Sequence, residues 1–181
     1  METPGDISTF SPVLLKQAAE GDNRAFKEIY DRIGGKMYSL CVRYAGNTGE
    51  AADLFQEGFV KLYRHLNTFR NEGSFEGWAR RIFVTTCLDH IKKKKMQLSE
   101  LTDAIPVVAD NHTGFDKLSL DDMMNVVQDL PDGYRTIINL YIIEGYTHKE
   151  IAAMFGITES GSKSQLHKAR LYLKKKYPSL R

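Results

Sequence analysis

The chain has 181 residues, enough for one medium domain or two small ones, and 42% of them are hydrophobic. Mean hydropathy is -0.38, no stretch approaches the roughly 18 apolar residues of a membrane span, and the start, with Glu2 and Asp6 and no apolar run, excludes a secretory leader. Net charge is +2, and the two cysteines, Cys41 and Cys87, lie far apart in helical contexts, so neither a disulfide scaffold nor a cysteine zinc site is expected, and a cytoplasmic protein is.

Helical spacing dominates. Leu14, Leu15 and Ala18, then Phe26, Ile29, Tyr30 and Ile33, recur at three- and four-residue intervals. Gly21-Asp22-Asn23 separates the two runs as a turn, with Asp22 or Asn23 capping the second helix. A third helix is expected from about Gly35 through Tyr44, ended at Gly46-Asn47. Thr48 can cap a fourth helix whose first turns carry Glu50 and Asp53, where acids suit the helix dipole. Phe55, Phe59, Leu62 and Tyr63 form its apolar stripe to about Leu66. Residues from Asn67 to Phe75 read as a loop, and Ser74 can cap a helix from Phe75 to about Lys95.

Residues 96–118 lose the helical stripe and are punctuated by Pro106, Asp110-Asn111 and Gly114, with Val107-Val108 the one short β-like run. So long a stretch without pattern is unusual inside a compact domain and reads as a linker. Fully extended, it could reach about 75–83 Å. Leu118 to Leu130 is expected to be helical up to Pro131-Asp132-Gly133, and Tyr134 to Glu144 helical up to Gly145.

Thr147-His148-Lys149-Glu150 has the spacing of a capping box. Ile151, Ala152 and Phe155 would form the buried face of that helix, Gly156 the turn, Ile157 the filling of the angle, and Thr158 the cap of a second helix with Leu166, Ala169 and Leu173 inward. A small residue at the crossing suits a helix-turn-helix. Its outer face carries Ser160, Lys163, Ser164, His167, Lys168 and Arg170, donors that can reach phosphates and base edges in a major groove.

Charge supports the same reading. From Ser160 to Arg181 there are seven basic residues and no acid, and Lys92 to Lys95 is a second basic block. Two basic patches around the acidic stretch Met96–Leu118 fit polyanion binding at two places, or two solvated helix ends. In the first half, Asp53, Gln56, Glu57 and Lys61 share a polar helix face that either meets another helix or is simply exposed. Phe69 to Ile82 interleaves aromatics with arginines around a small-residue loop, a pattern suited to single-stranded nucleic acid, although Phe69 and Trp78 also suit a core.

At this point the chain resembles the sigma-70 family of RNA polymerase sigma factors, in its extracytoplasmic-function (ECF) class. Asp53–Glu57 with the stretch through Asp89 and Lys92-Lys93 is similar to sigma region 2, and Leu130 through Leu173, including Gly156-Ile157-Thr158-Glu159, to region 4. The resemblance implies an all-α fold of two small helical domains, region 2 over 11–95 and region 4 over 119–177, after a tail of 1–10 and joined by the flexible linker 96–118. It implies a protein that binds core RNA polymerase, recognises promoter DNA and helps open it, without a cofactor or metal, and that is held inactive by an anti-sigma factor. Asp53, Gln56, Glu57 and Lys61 would meet the polymerase. Asn71, Gly73, Ser74 and Phe75 would form the loop that captures a flipped base of the melted minus-10 element, with Arg80, Arg81, Lys92 and Lys93 on its backbone. Ser160, Lys163, Ser164, His167 and Lys168 would read the duplex minus-35 element. A long tether suits two sites ~70 Å apart. The acids of the linker suit a nucleic-acid mimic within a basic channel, or plain solubility.

The chain departs from the family pattern at Gly161-Ser162, where the family has Thr-Val, and at Gln165, where it often has Arg. A glycine inside a helix costs about 1 kcal/mol relative to alanine, and Ser162 removes an apolar packing group, so a looser start to the recognition helix is expected. The competing reading is a stand-alone helix-turn-helix regulator, which predicts a dimer on a palindrome. An enzyme is not expected: there is no His-Glu-x-x-His, P-loop or nucleophile elbow, and His65, His90, His112, His148 and His167 are dispersed.

Overall fold

Ser11 opens the first helix as its hydroxyl accepts from the Leu14 amide at 3.2 Å, with Pro12 at the first helical position, where a missing N–H costs nothing. A computed structural model describes residues 10–99 and 126–177, all helix, turn and loop, with no strand among the described residues. The chain divides into two compact units, Met1–Gln97 and Leu98–Arg181. This is the all-α, two-unit architecture expected from the helical periodicity.

In the first unit, α1 spans Pro12–Ala19 and α2 Asn23–Tyr44. Asp22 caps α2, accepting from Arg24 and Ala25 at 2.7 and 3.1 Å, which holds its carboxyl below the ordinary range. The break expected before Gly35 does not occur. The stripe Ile29, Ile33, Met37, Leu40 and Cys41 continues across Gly34-Gly35 with each side chain at most 1% exposed. Burying such side chains is worth roughly 1.5–3 kcal/mol each, against about 1 kcal/mol per interior glycine. A Cβ at Gly34 would lie 3.8 Å from Phe55 Cζ, an ordinary contact, so packing does not demand a glycine there.

Helix α3 spans Thr48–His65, and its cap is Asn47, whose side-chain Oδ1 accepts from the Glu50 amide at 2.8 Å, so the expected cap Thr48 is instead the first helical residue. A 3-10 turn, Leu66–Thr68, leads into the loop before α4, Phe75–Ser99. Ser74 caps α4 as expected, its Oγ accepting from Gly77 N at 3.3 Å. Phe83, fully buried on α4, meets Phe55 and Phe59 of α3 with ring centroids 6.3 and 5.2 Å apart, and Gly58 leaves the space in which that ring lies.

In the second unit, residues 126–128 are helical and Leu130 is buried. The rest of the helix expected from Leu118, the linker from residue 100 onward and the Val107-Val108 run lie outside the described residues. Helix α5 spans Asp132–Ile138, beginning earlier than expected, and widens into a π-helical turn, Asn139–Ile143. Buried Arg135 ties this helix to the turn before it: its Nη2 donates to the Leu130 carbonyl at 2.9 Å and lies 3.2 Å from Asp132. Gly145 (φ +76°) closes the turn. Helix α6 is His148–Phe155 and α7 is Glu159–Lys176. At the far end of α7, the Tyr177 hydroxyl donates to Asp129 at 2.7 Å, and burial together with that carboxylate pushes the phenol far up.

Candidate nucleic-acid interface

On α3 the apolar residues Ala51, Leu54, Gly58, Phe59 and Leu62 turn inward. That leaves Asp53, Gln56 and Glu57 exposed on the other side, with Lys61 half-buried beside them. Lys61 bonds Glu57 at 2.8 Å and reaches Asp89 of α4 at 3.7 Å. The predicted polar face therefore exists as one surface, and Asp89 extends it. Sequence spacing could not place Asp89 there, because it lies on another helix.

The loop ahead of α4 turns on two residues with left-handed backbone, Asn71 (φ 54°) and Gly73 (φ 89°), both exposed. Asparagine and glycine tolerate that region best. Ser74 is exposed and caps α4, whereas Phe75 is only 4% exposed. Phe75 lies under the loop in a cluster with Phe10, Phe69 and Trp78, at centroid distances of 4.8, 5.3 and 5.7 Å. Phe10, with the Arg32 guanidinium 5.4 Å above its ring, is a support that no periodic pattern flagged. Lys36 donates to both Glu76 oxygens at 2.8–2.9 Å, tying α2 to the first turn of α4.

Along α4, Arg81, Lys92 and Lys93 are exposed and Arg80 is half-buried. Arg81 and Lys92 fall on one side of the helix, three turns apart. The basic block is not uniform, because Lys94 bonds Glu50 at 2.8 Å. Glu50 also accepts from Gly46 N at 2.8 Å. The Lys94 ammonium and then that amide hold the Glu50 carboxyl below its usual range, against the opposing effect of burial.

The helix-turn-helix forms as its sequence directs. Thr147 and Glu150 make a reciprocal capping box, the Glu150 amide donating to Thr147 Oγ1 at 3.2 Å and the Thr147 amide to Glu150 Oε2 at 2.8 Å. Gly156 has φ 63°, and Thr158 Oγ1 accepts from Gly161 at 3.0 Å. Ser160, Lys163, Ser164, His167 and Lys168 are all exposed on α7, as is Gln165. Lys163 bonds Glu159 at 2.7 Å, which lowers the Glu159 carboxyl's pKa. Some of the expected inward positions are less covered than their spacing implied. Ile157 is 43% exposed and does not fill the angle, and Phe155 and Leu173 are only half-buried. Ser162, expected only as a lost packing group, is fully buried and shares a 2.9 Å hydrogen bond with His148 Nδ1. Among the described residues, no group of three or more His, Cys, Asp or Glu could hold a metal ion, and no helix is long and apolar enough to cross a membrane.

Residues 29–96 match the family model Sigma-70 region 2, and residues 120–173 match Sigma-70, region 4. The chain is 32% identical over 179 residues to the ECF RNA polymerase sigma factor SigW of Bacillus subtilis, covering 92% of this chain and 96% of that one. The chain belongs to the ECF class of the sigma-70 family. It is an alternative sigma factor for transcription initiation. It is also 29% identical to the ECF RNA polymerase sigma-E factor of Escherichia coli K12, over 87% of this chain and 89% of that one. In fold, the sigma factor is similar to RpoE of Bartonella quintana in its complex with the anti-sigma factor NepR, with a TM-score of 0.56 at 20% identity over 86% of this chain and 98% of that one. It is also similar to CnrH in complex with the cytosolic domain of CnrY, with a TM-score of 0.50 at 21% identity over 94% and 96%.

This sigma factor therefore carries its candidate contacts in three places: the α3 face, the 69–74 loop with the outer side of α4, and the outer side of α7. Phe75 is set apart from the other loop residues by its burial, and Arg80 is only half open. Phe10 and Ser11 lie before residue 29, where the region 2 match begins, yet Phe10 closes the aromatic cluster beneath the loop.

Proposed function

We propose that this sigma factor joins core RNA polymerase through the α3 face, with Asp53, Gln56, Glu57 and Lys61 as contacts. In this reading Asn71, Gly73 and Ser74 shape a pocket for a base flipped from the melted minus-10 strand, with Phe75 as its floor. Arg81, Lys92 and Lys93, with Arg80 beside them, hold the strand's backbone. Ser160, Lys163, Ser164, His167 and Lys168 read the duplex minus-35 element. The observation that carries the reading is that one chain holds two separate folded units matching regions 2 and 4, each with an exposed polar or basic face. Residues 11–95 would be the first working domain, 96–118 the tether and 119–177 the second.

The protein works by binding and remodelling DNA, with no bond-making chemistry, metal or cofactor of its own, in the cytoplasm where polymerase and chromosome meet. An anti-sigma factor is its expected restraint, in line with the similar fold of RpoE captured with the anti-sigma factor NepR. The region 2 match over residues 29–96 favours this reading over a stand-alone helix-turn-helix regulator.

Run-off transcription on a pool of genomic fragments tests it, with core polymerase from the same organism, with and without the protein. New transcripts sharing a two-part upstream motif are expected. A dimer that binds a palindrome unaided and adds no transcripts with core polymerase would overturn the reading.

A further inference from the structure

Ser162 is a polar residue with no exposure at all, one turn into the helix that carries the proposed minus-35 contacts. A buried hydroxyl without a partner is costly, and the partner here comes from another helix: His148 Nδ1 and Ser162 Oγ share a hydrogen bond 2.9 Å long. His148 is itself held on two sides. It is the first residue of α6, directly after the Thr147–Glu150 capping box. Its ring stacks on Tyr141 of the π-helical turn, with centroids 4.3 Å apart and planes 21° from parallel. Three elements thus converge on the first turn of α7 through one imidazole.

From this we infer that His148 is a positioning residue for promoter reading: through Ser162 it sets the rotation of the recognition helix about its axis. This inference rests on the proposed reading of α7 as the minus-35 helix. At about 100° per residue, Ser160, Lys163, Ser164 and His167 sit roughly 100–200° round the helix from Ser162. The inner hydrogen bond and the outer contacts therefore lie on opposed sides of one rigid rod. A turn of about 20° moves a side chain at the 5–6 Å helix surface by about 2 Å, which is enough to break a hydrogen bond of ordinary length. Apolar packing by Leu166 and Ala169 holds α7 against the unit but is non-directional. The directional contact in that first turn comes from His148.

The test uses the full chain with core polymerase and a promoter recovered from the genomic run-off pool. The readout is the ratio of transcripts from that promoter to those from a copy with its upstream element scrambled. Because both templates meet the same protein, the ratio does not depend on how much of a variant is folded. Ser162→Ala is expected to lower the ratio about fivefold and His148→Ala about tenfold. The double variant should be no lower than His148→Ala alone, because coupled residues do not add. His148→Gln, whose amide can reach the same hydroxyl, should keep most of the wild-type ratio. A wild-type ratio in Ser162→Ala, or a double variant equal to the product of the two singles, overturns the inference. A wild-type protein that transcribes both templates equally overturns the reading of α7 itself, and the inference with it, before any variant is made.

Discussion

Replacing Gly58 with alanine adds one methyl group where α3 meets α4. Built on the backbone, that carbon would fall 2.5 Å from Cδ1 and 2.9 Å from Cζ of Phe83, well inside van der Waals contact. Phe83 is fully buried and boxed in by Phe55 and Phe59, so its ring cannot simply swing away. Overpacking of this kind costs about 1–3 kcal/mol, while alanine gains about 1 kcal/mol in helix propensity over glycine. Because several atoms of a boxed-in ring lie inside contact distance, the upper part of that range applies, about 2–3 kcal/mol, and the net is a loss of about 1–2 kcal/mol, or a melting temperature lower by about 4–16 °C for a unit of this size. Thermal unfolding followed by circular dichroism at a single pH measures it. Gly58→Ala combined with Phe83→Leu should recover much of the loss, since the smaller side chain vacates the ring's edge. A Gly58→Ala protein that melts at or above the wild-type temperature would show that propensity outweighs packing here and would refute the steric argument. The same crossing brings Lys61 of α3 to 3.7 Å from Asp89 of α4 on the proposed polymerase-binding face.

Glu50→Gln should lower stability by ~1 kcal/mol or less, a figure discounted for the partial exposure of the Lys94 pair. The Glu50 pKa is depressed in the folded state, so its contribution is present above the unfolded value near 4.5 and is lost as pH falls through the folded one. The gap in melting temperature between wild type and variant should therefore be full above about pH 5 and close on further acidification; a gap that widens in acid would contradict this. Thr147→Ala removes half of the capping box and should cost the second unit about 0.5–2 kcal/mol, read from urea unfolding. Lys168→Ala should reduce the salt dependence of promoter binding by the holoenzyme by about one counterion, measured as the slope of log affinity against log salt. Lys163→Ala should reduce it less, because Glu159 already offsets that charge.

Much of this molecule was written locally. The Asp22, Ser74, Thr147 and Thr158 caps, the left-handed Gly156 and the outward face of α7 follow from residues within one or two turns of each other. Capping and helical periodicity act over that range, so short stretches of sequence are enough to specify them. The resemblance to sigma regions 2 and 4 was equally readable, because its motifs are runs of neighbouring residues. Periodicity states which side of a helix is apolar but not what lies opposite it. Gly34-Gly35 runs unbroken through α2 because the continuous buried stripe on either side outweighs two weak residues. Phe75 is drawn under its loop because Phe10, from far upstream, completes an aromatic cluster around it. Lys94 leaves the basic block because Glu50 waits on another helix. Ser162 reads alone as a lost packing group. Only the tertiary structure brings His148 to it, because a hydrogen bond between two helices depends on how they cross, and neither helix encodes that by itself.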